Sequence, residues 1–314
     1  MINSPKIAVA GHLVADQIIY ADGGRISAPG GIAYNLAALL SIMGSGKIIP
    51  VCEIGYDYEE LFNEYFGKHD LIDSSAVRRT PLPNVVNRLS YKIDGNREEW
   101  NSRIPDRLSL KSIAADVDAV LVNFISGDDV DYEELSEFRN RSGCVIFCDY
   151  HSLALGRDDE GKRFHRKHPD GKKYLSPADM VQMNIEELGT ISSDGALSFG
   201  NIITSCSAIH DLCAHTCIIT LGLNGAVLST EYGKSVYHIP PIAIRNVVDP
   251  TGCGDTFAAV FLYSYLLSGD PLNSAVIAGR YAAAKATFAG IDGFRKIDSI
   301  MESLDPGLEP VKIK

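Results

Sequence analysis

Short, continuously apolar runs alternate along the chain with longer stretches that are apolar on one face or throughout. The short runs predict strands buried on both faces, and the longer stretches predict helices. The predicted strands are residues 7–10, 48–54, 119–124, 145–149, 180–183 and 217–221. The predicted helices are residues 32–43, 58–68, 132–141, 199–214, 254–267 and 272–289. This order predicts an α/β fold with a mostly parallel central sheet and helices on both of its faces.

Three segments depart from this alternation. Residues 226–229 and 236–239 predict a late hairpin, which would place antiparallel strands at one edge of the sheet. Residues 17–28 are short and mixed, and residues 84–104 alternate apolar and polar positions around Asp94-Gly95, a strong hairpin signal. Because neither of these last two segments suits a helix-covered parallel sheet, we expect both to form β structure outside it.

The densest chemical motif is Asp-Pro-Thr-Gly-Cys-Gly-Asp at residues 249–255, immediately before an almost continuously apolar stretch. That stretch predicts a buried helix whose start is set by Gly252 and Gly254. The first backbone N–H groups of a helix lack partners inside it and attract anions, and Asp255 adds a carboxylate at the same place. The motif is typical of an anion cradle beside a general base, as phosphoryl transfer to a hydroxyl requires. It is equally typical of a glycine turn with Asp255 as a helix cap.

Composition narrows the class of partner. The chain has 314 residues, 46% hydrophobic and 22% charged, with a net charge of −11. These values predict a soluble protein with no nucleic-acid partner and no binding to an anionic membrane surface. The chain opens without a charged-then-apolar leader and has no apolar run of membrane-spanning length, so we expect a cytoplasmic protein. The seven cysteines then predict reduced thiols, and the basic stretch around His165 and His168 predicts a polar surface loop.

A second glycine motif, Gly30-Gly31 followed by Asn35, also runs into a predicted helix. Together with the 249–255 motif, it resembles the paired signatures of the PfkB/ribokinase family of carbohydrate kinases, with Pro250 where Thr is usual. Two weaker family motifs lie between them in the right order. They are Asn-x-x-Glu at residues 184–187 and Thr-x-Gly-x-x-Gly at residues 220–225. The resemblance therefore covers essentially the whole chain.

The resemblance implies a ribokinase-like three-layer sandwich as a single domain over residues 1–314, with a small discontinuous β lid from about 17–28 and 84–104. It also implies an ATP-dependent phosphotransferase that uses Mg²⁺. The site residues that it implies are Asp255 as general base with the amides of Gly252, Cys253 and Gly254 as anion hole, Asp16, Gly31 and Asn35 for the substrate, Asn184, Thr220, Gly222 and Gly225 for the nucleotide, and Glu187 for Mg²⁺ through water.

Two departures from the family pattern leave details open. His151 follows Asp149-Tyr150 where relatives often have Asn, and Gly279-Arg280-Tyr281 precedes an alanine run where Asn is frequent. The adenine pocket and a monovalent-cation site therefore stay open at this point.

The acceptor that the motifs predict is a hydroxyl of a sugar or of a sugar-containing small molecule. The carboxylate of Asp16 can accept hydrogen bonds from two vicinal hydroxyls, which sugars and nucleosides share. A nucleoside kinase of the same fold is therefore one alternative, and a catalytically silent ligand-binding or regulatory protein is another. We expect the lid to select the substrate, and its exposed ribbon is alternatively the contact of a homodimer. The lid residues expected to select are Arg88, Tyr91, Arg97 and Trp100.

Overall fold

The computed structural model describes residues 2–93, 97–191, 199–212 and 214–314, so the predicted Asp94-Gly95 turn and Cys213 lie outside the described residues. The described strands are β1 (Lys6–Ala10), β2 (Leu13–Ile19), β3 (Arg25–Gly31), β4 (Lys47–Gly55), β5 (Val77–Thr80), β6 (Val86–Tyr91), β7 (Arg97–Asn101), β8 (Ala119–Asn123), β9 (Val145–Asp149), β10 (Leu155–Arg157), β11 (Arg163–His165), β12 (Met180–Asn184), β13 (Thr216–Thr220), β14 (Ala226–Thr230), β15 (Ser235–Ile239) and β16 (Val311–Lys312). The described helices are α1 (Ala33–Ile42), α2 (Glu59–Phe62), α3 (Tyr132–Arg141), α4 (Gly171–Leu175), α5 (Ile185–Ile191), α6 (Phe199–His210), α7 (Cys253–Ser268), α8 (Pro271–Lys285) and α9 (Ile297–Ser303).

The central sheet follows the order β16-β15-β14-β13-β12-β9-β8-β1-β4-β5 among the described strands. The run from β5 to β13 is parallel throughout, and its strands from β4 to β13 are buried on both faces, whereas the edge strand β5 is partly exposed. β14, β15 and β16 pair antiparallel at one edge, because the β14–β15 hairpin folds directly back on β13. The predicted α/β class and its antiparallel edge are both confirmed.

Two apolar layers cover this sheet, and successive residues of each central strand alternate between them. In β1, Ile7 and Val9 face the layer formed by α1, α7 and α8, whereas Ala8 and Ala10 face the layer formed by α3 to α6. Each layer buries apolar area that a single sheet face would leave in water, which stabilises the sandwich. The three-layer arrangement is therefore confirmed.

Helix α7 is apolar on every side because both of its faces are covered. It is buried from Asp255 to Ser264 and packs against α1 and α8 as well as against the sheet. It begins at Cys253, one residue before the predicted start, and ends before Gly269, which is left-handed with φ 70°. The next helix begins where the side chain of Asp270 accepts hydrogen bonds from the amides of Leu272 and Asn273.

Several predicted helix ends shift in the structure. The helix expected over residues 58–68 is α-helical only over α2 and continues as a wider turn over Asn63–Gly67. The helix expected to reach residue 214 ends at His210, and α8 ends at Lys285 rather than at residue 289. Such ends depend on tertiary contacts that periodicity does not report.

A second, smaller sheet contains the two segments, around residues 17–28 and 84–104, that do not suit a helix-covered parallel sheet. Its order is β3-β2-β6-β7, with β2 antiparallel to β3 and parallel to β6. One face of this sheet is turned toward the carboxyl ends of the central strands, and the cleft between them holds the candidate site. No helix within the described residues has the length and apolarity to cross a membrane.

Candidate active site

A cavity of about 190 Å³ lies between the small sheet and the carboxyl ends of the central strands. This is the place where ligands bind in open α/β sheets. We call it the first cavity. It is lined by Asp16, Gly31, Tyr34, Asn87, Leu89, Arg97, Glu99, Ile125, Asp149, His151, Gln182, Asn184, Glu187, Thr220, Thr251, Gly252, Gly254 and Asp255.

The start of α7 forms one wall, and its geometry requires glycine. Gly252 is left-handed with φ 82°, and a Cβ there would lie 2.2 Å from the ring of Tyr34. A side chain at this position would therefore both strain the backbone and fill the approach to the helix start. Gly254 also lines the cavity, while Cys253 between them is half-buried and does not. Burial raises the pKa of the Cys253 thiol to about 12, so the sulfur stays protonated at neutral pH.

Asp255, in the first turn of α7, is held by two asparagines from distant parts of the chain. The side-chain amide of Asn123 donates to Asp255 Oδ1 at 2.6 Å and to Asn35 Oδ1 at 2.9 Å. The amide of Asn35 donates in turn to the main-chain oxygen of Asp255 at 2.9 Å. This network orients the carboxylate toward the first cavity, which Asp255 lines.

Asn35 and Asn123 therefore act in the structure on Asp255. Asn35 is completely buried and does not line the first cavity, although the sequence resemblance implies that it contacts the substrate. Asn123 ends β8 and was not anticipated as a functional residue. The available signal was a polar residue near the end of an otherwise apolar strand, where site residues concentrate.

Asp16 reaches the first cavity from the small sheet. A Cβ on Gly30 would lie 2.1 Å from its carboxyl group, so the glycine leaves the space in which Asp16 sits. Asn87 donates to Asp16 Oδ1 at 3.3 Å. Burial, and secondarily the charge of Glu99, raise the pKa of Asp16 to about 8. Gly31 lines the same wall with φ 60°.

Charged side chains line the rest of the small-sheet wall. Arg97 Nη2 lies 3.1 Å from Glu99 Oε2. Burial acts to raise the pKa of Glu99, but Arg97 and Arg163 outweigh it and hold that pKa below its usual value. Tyr91 Oη and Thr251 Oγ1 are 2.8 Å apart, which joins the small sheet to the α7 loop across the cleft.

Three of the four residues expected to select the substrate do not line the first cavity: Arg88, Tyr91 and Trp100. Arg88 and Trp100 are paired across β6 and β7, on the face opposite to Leu89 and Glu99. Successive strand residues point to opposite faces, so the cavity face carries Arg97 while Arg88 and Trp100 point away from it.

The third wall carries the residues expected at the nucleotide and the metal. Both carboxylate oxygens of Glu187 accept from Asn184, from its main-chain N–H at 2.8 Å and from its side-chain amide at 2.7 Å. Gln182 Nε2 donates to Asp149 Oδ2 and to the carbonyl oxygen of Gly254, both at 2.9 Å. Thr220 completes this wall.

These carboxylates suit a hydrated divalent cation. Burial raises the pKa of Glu187; burial and then the charges of Glu187 and Asp255 raise the pKa of Asp149. A cation bound between Glu187 and Asp149 would stabilise the charged forms of both carboxylates. Within the described residues, no group of three or more His, Cys, Asp or Glu side chains is close enough together to hold a metal alone. Oxygen donors on one side and open space on the other fit Mg²⁺, which keeps several waters.

The two other glycines expected at the nucleotide lie outside the lining of the first cavity. Gly222 is exposed with φ 58° and open space around it. Gly225 has φ 83°, and a Cβ there would lie 2.1 Å from the carbonyl oxygen of Ile239. The structure thus explains Gly225 by the close approach of β15.

The family model for the pfkB family of carbohydrate kinases matches residues 128–290, just over half of the chain. The chain belongs to the pfkB family. It is accordingly a kinase, a phosphotransferase with a ribokinase-like fold. Kinases of this family use ATP, typically with Mg²⁺.

Two relatives are similar over most of their length. A cytidine kinase of Thermococcus kodakarensis is 26% identical over 277 residues, which cover 87% of this chain and 92% of the relative. A nucleoside kinase of Methanothermobacter thermautotrophicus is 24% identical over 317 residues, covering 92% and 90%.

Among solved structures, the Arabidopsis thaliana ribokinase complexed with ribose and ATP superimposes with a TM-score of 0.73 at 18% identity. The match covers 95% of this chain and 99% of the ribokinase. At this identity the likeness establishes the fold.

Proposed function

We propose that this protein transfers the γ-phosphoryl group of ATP to a hydroxyl of a nucleoside, with a free sugar as the second candidate acceptor. The observation that carries the proposal is the position of Asp255. Its carboxylate is fixed by Asn123 at the start of a helix whose first residues are glycine-rich, and it shares one cavity with Asp16. A base, an open helix start and a hydroxyl-binding carboxylate are the parts that phosphoryl transfer to an alcohol requires.

In the proposed reaction, Asp16 and Asn87 hold hydroxyls of the acceptor so that one of them points at Asp255. Asp255 accepts the proton of that hydroxyl as its oxygen attacks phosphorus. The amides of Gly252 and Gly254, with the dipole of α7 behind them, stabilise the charge on the phosphoryl oxygens in transit. The Cys253 amide, which the resemblance also implies, donates in the structure to the carbonyl oxygen of Pro250 at 3.2 Å. Glu187 and Asn184 are the residues that would hold Mg²⁺ through water, and the ion would supply positive charge to the nucleotide phosphates.

The choice of a nucleoside over a sugar rests on the relatives named cytidine kinase and nucleoside kinase, which match this chain over 87% and 92% of its length. The alternative of a silent binding protein is less well supported, because Asp255 accepts two buried hydrogen bonds, one from each asparagine, where binding alone needs no oriented base.

The small sheet is proposed to act as a lid over a single domain that spans residues 1–314. Tyr91 is its contact with the α7 loop. The outer face of the sheet, which carries Arg88 and Trp100, is proposed as the dimer contact, if the chain dimerises.

The test is a coupled assay of ADP release with ATP and Mg²⁺ over nucleosides and free sugars. We expect turnover with at least one nucleoside and none in Mg²⁺-free buffer with chelator. Turnover with sugars alone would shift the proposal to the second acceptor. The kinase proposal is refuted in favour of a binding protein if calorimetry shows that a nucleoside or sugar binds but the wild-type chain releases no more ADP than Asp255→Asn does.

A further inference from the structure

A second cavity, of about 280 Å³, lies along the same face of the small sheet, beyond Ile125. It is lined by Val14 of β2, by Val85 just before β6 and by Asn101 of β7, which lie next along the chain from the residues of the first cavity. Its lining differs in charge from that of the acidic first cavity. The cationic or titratable basic residues that line it are His12, Arg103, Arg157, Arg163, Arg166 and His168.

The acidic residues at this cavity are already engaged by other groups. Asp128 lines it and accepts a hydrogen bond from Arg107 at 2.9 Å. Asp129 lies behind it and accepts from the main-chain N–H groups of Ser126 and Gly127 at 2.8 and 3.0 Å. The cavity therefore keeps an excess of positive charge in a chain whose net charge is −11.

Arg163 is the buried cation of this cavity, only 7% exposed. It donates from Nη1 to Asn101 Oδ1, and its contact with Glu99 is long, at 3.8 Å. Its Nε and Nη2 are buried and have no hydrogen-bond partner in the part of the chain that the structure describes. Buried donors without partners are costly, and a guanidinium is costlier still, so a ligand that supplied oxygen acceptors here would be stabilised.

Two further guanidinium groups lack a counter-charge. Within residues 2–93, 97–191, 199–212 and 214–314, no carboxylate lies within 4.0 Å of Arg157 or Arg166. Arg157 is the cross-strand partner of Arg163 in the β10–β11 hairpin, and Arg166 follows that hairpin directly. The Arg157 Nη2 group donates only to a main-chain oxygen, that of Asn101 at 3.2 Å, and its Nε has no partner among the described atoms.

We propose that this second cavity is a binding site for a phosphate-type oxyanion, held by Arg157, Arg163 and Arg166. Planar guanidinium groups match the oxygens of phosphate two at a time, and burial strengthens the bonds that Arg163 and the half-buried Arg157 would make. The anion is either a free phosphate ion or the phosphate end of a small molecule whose sugar occupies the first cavity. The basic stretch around His165 is on this proposal a ligand-binding hairpin.

The same geometry links the second cavity to the first. Arg163 faces Glu99, which lines the first cavity and also pairs with Arg97. An oxyanion on Arg163 would compete with Glu99 for the guanidinium. An anion in the second cavity therefore changes the charge partner of Glu99 in the small-sheet wall of the first cavity.

The test is calorimetric titration of the full chain with inorganic phosphate, at constant ionic strength and without nucleotide. Arg166→Ala and Arg157→Ala are each expected to weaken phosphate binding about tenfold, since a charge-assisted hydrogen bond is lost. Lys167→Ala is the matched control, because Lys167 is exposed beside Arg166 but lines neither cavity. Thermal melts without phosphate establish that all three variants fold.

Failure of phosphate to bind, or equal affinity in the wild-type chain, Arg157→Ala and Arg166→Ala, overturns the proposal. In the second case the phosphate lies elsewhere, for example at the start of α7. These readouts need no turnover, so they are independent of the kinase assay.

Titration with ribose and with ribose 5-phosphate separates the two sources of the anion. The anion is the phosphate end of a sugar ligand if ribose 5-phosphate binds much more tightly than either ribose or inorganic phosphate. In that case Arg166→Ala loses this gain in affinity. Equal affinity for ribose 5-phosphate and inorganic phosphate, both weakened in Arg166→Ala, assigns it to a free ion.

Discussion

The core wall of the first cavity holds Asp255 with neutral amides, whereas the small-sheet wall holds Asp16 and Glu99 among other charges. On the core side, Asn123 and Asn35 form short hydrogen bonds with Asp255. On the sheet side, burial and Glu99 raise the pKa of Asp16 to about 8. Neutral amides fix a side chain through hydrogen-bond geometry, while interacting charges make the protonation of each group depend on the others.

The two walls are therefore proposed to have different roles. The core wall carries the group proposed to take the proton, and its glycines and asparagines leave that group one orientation. The sheet wall carries the groups proposed to meet the acceptor, and their charges respond to what binds. The predictions below test the two walls separately, from the largest expected effect to the smallest.

The largest effect is expected for Asp255→Asn. The change removes the proton acceptor but keeps the size of the side chain, and the new amide oxygen can still accept from Asn123. Loss of a positioned base typically lowers the rate by ~10²–10⁴-fold. We expect that loss in kcat, with acceptor affinity by calorimetry nearly unchanged. A folded variant with wild-type turnover would remove Asp255 from the proposed role.

The rigidity of the core wall is tested by Gly252→Ala, with Gly269→Ala as control. Both glycines are left-handed and flank α7, with φ 82° and 70°, so both variants carry backbone strain of ~1–2 kcal/mol. Only at Gly252 would the new methyl group meet the ring of Tyr34; nothing lies within 4 Å at Gly269. We expect Gly252→Ala to lose about 1–3 kcal/mol more stability, by denaturant titration, and most of its activity. Equal losses of stability in the two variants would show that the Tyr34 ring moves aside without an energetic cost.

The sheet wall is tested through the pH dependence of stability. The unfolded chain releases the Asp16 proton near pH 4, whereas the folded chain keeps it until about pH 8. The contribution of this group is therefore fully present below pH 4 and is lost as the pH rises toward 8, by up to about 1.4 kcal/mol per pH unit.

Asp16→Asn lacks this titration and should gain stability relative to wild type between pH 5 and pH 8, as measured by thermal melts without ligand. Asp106→Asn, at an exposed carboxylate, is the control for the general effect of removing a negative charge. A constant difference between wild type and Asp16→Asn across this range would contradict the raised pKa of Asp16.

The smallest effect is expected where the two walls touch. Tyr91→Phe keeps the ring and removes the hydroxyl, which meets Thr251 and also interacts with Arg97. We expect a loss of about 1 kcal/mol, seen as up to about a fivefold rise in the acceptor KM once the acceptor is known. Tyr56→Phe, at a tyrosine that is 68% exposed, is the control. If the two variants behave alike, the Tyr91–Thr251 contact does not close the cleft.

Much of the central architecture could be predicted from local pattern. Continuous apolar runs mark strands buried on both faces, and the unbroken apolar stretch after residue 254 marks α7. The glycine motif at its start likewise predicts an open helix terminus, since only glycine tolerates the conformation found at Gly252. These features are local, because periodicity and backbone permissiveness act over a few residues.

The groups that surround Asp255 could not be predicted in the same way. Asn123 and Asn35 are 88 residues apart in the chain, and Asn123 and Asp255 are 132 apart. The face of the small sheet that meets the core, which excludes Arg88 and Trp100, is set by strand register. The β10–β11 hairpin has strands of three residues each, too short and polar to show a period.

By itself, then, the sequence determined the α/β class, the buried α7 helix and the glycine-bordered position of Asp255. Tertiary structure alone decided that Asn35 holds Asp255 rather than lining the cavity, and that Arg163 meets Glu99 at 3.8 Å. The physical reason is the distance along the chain over which each property is set. The periodicity of apolar residues and the conformation of a glycine depend on neighbouring residues. The charge and hydrogen-bond partners of a buried group come from segments that only the fold brings together.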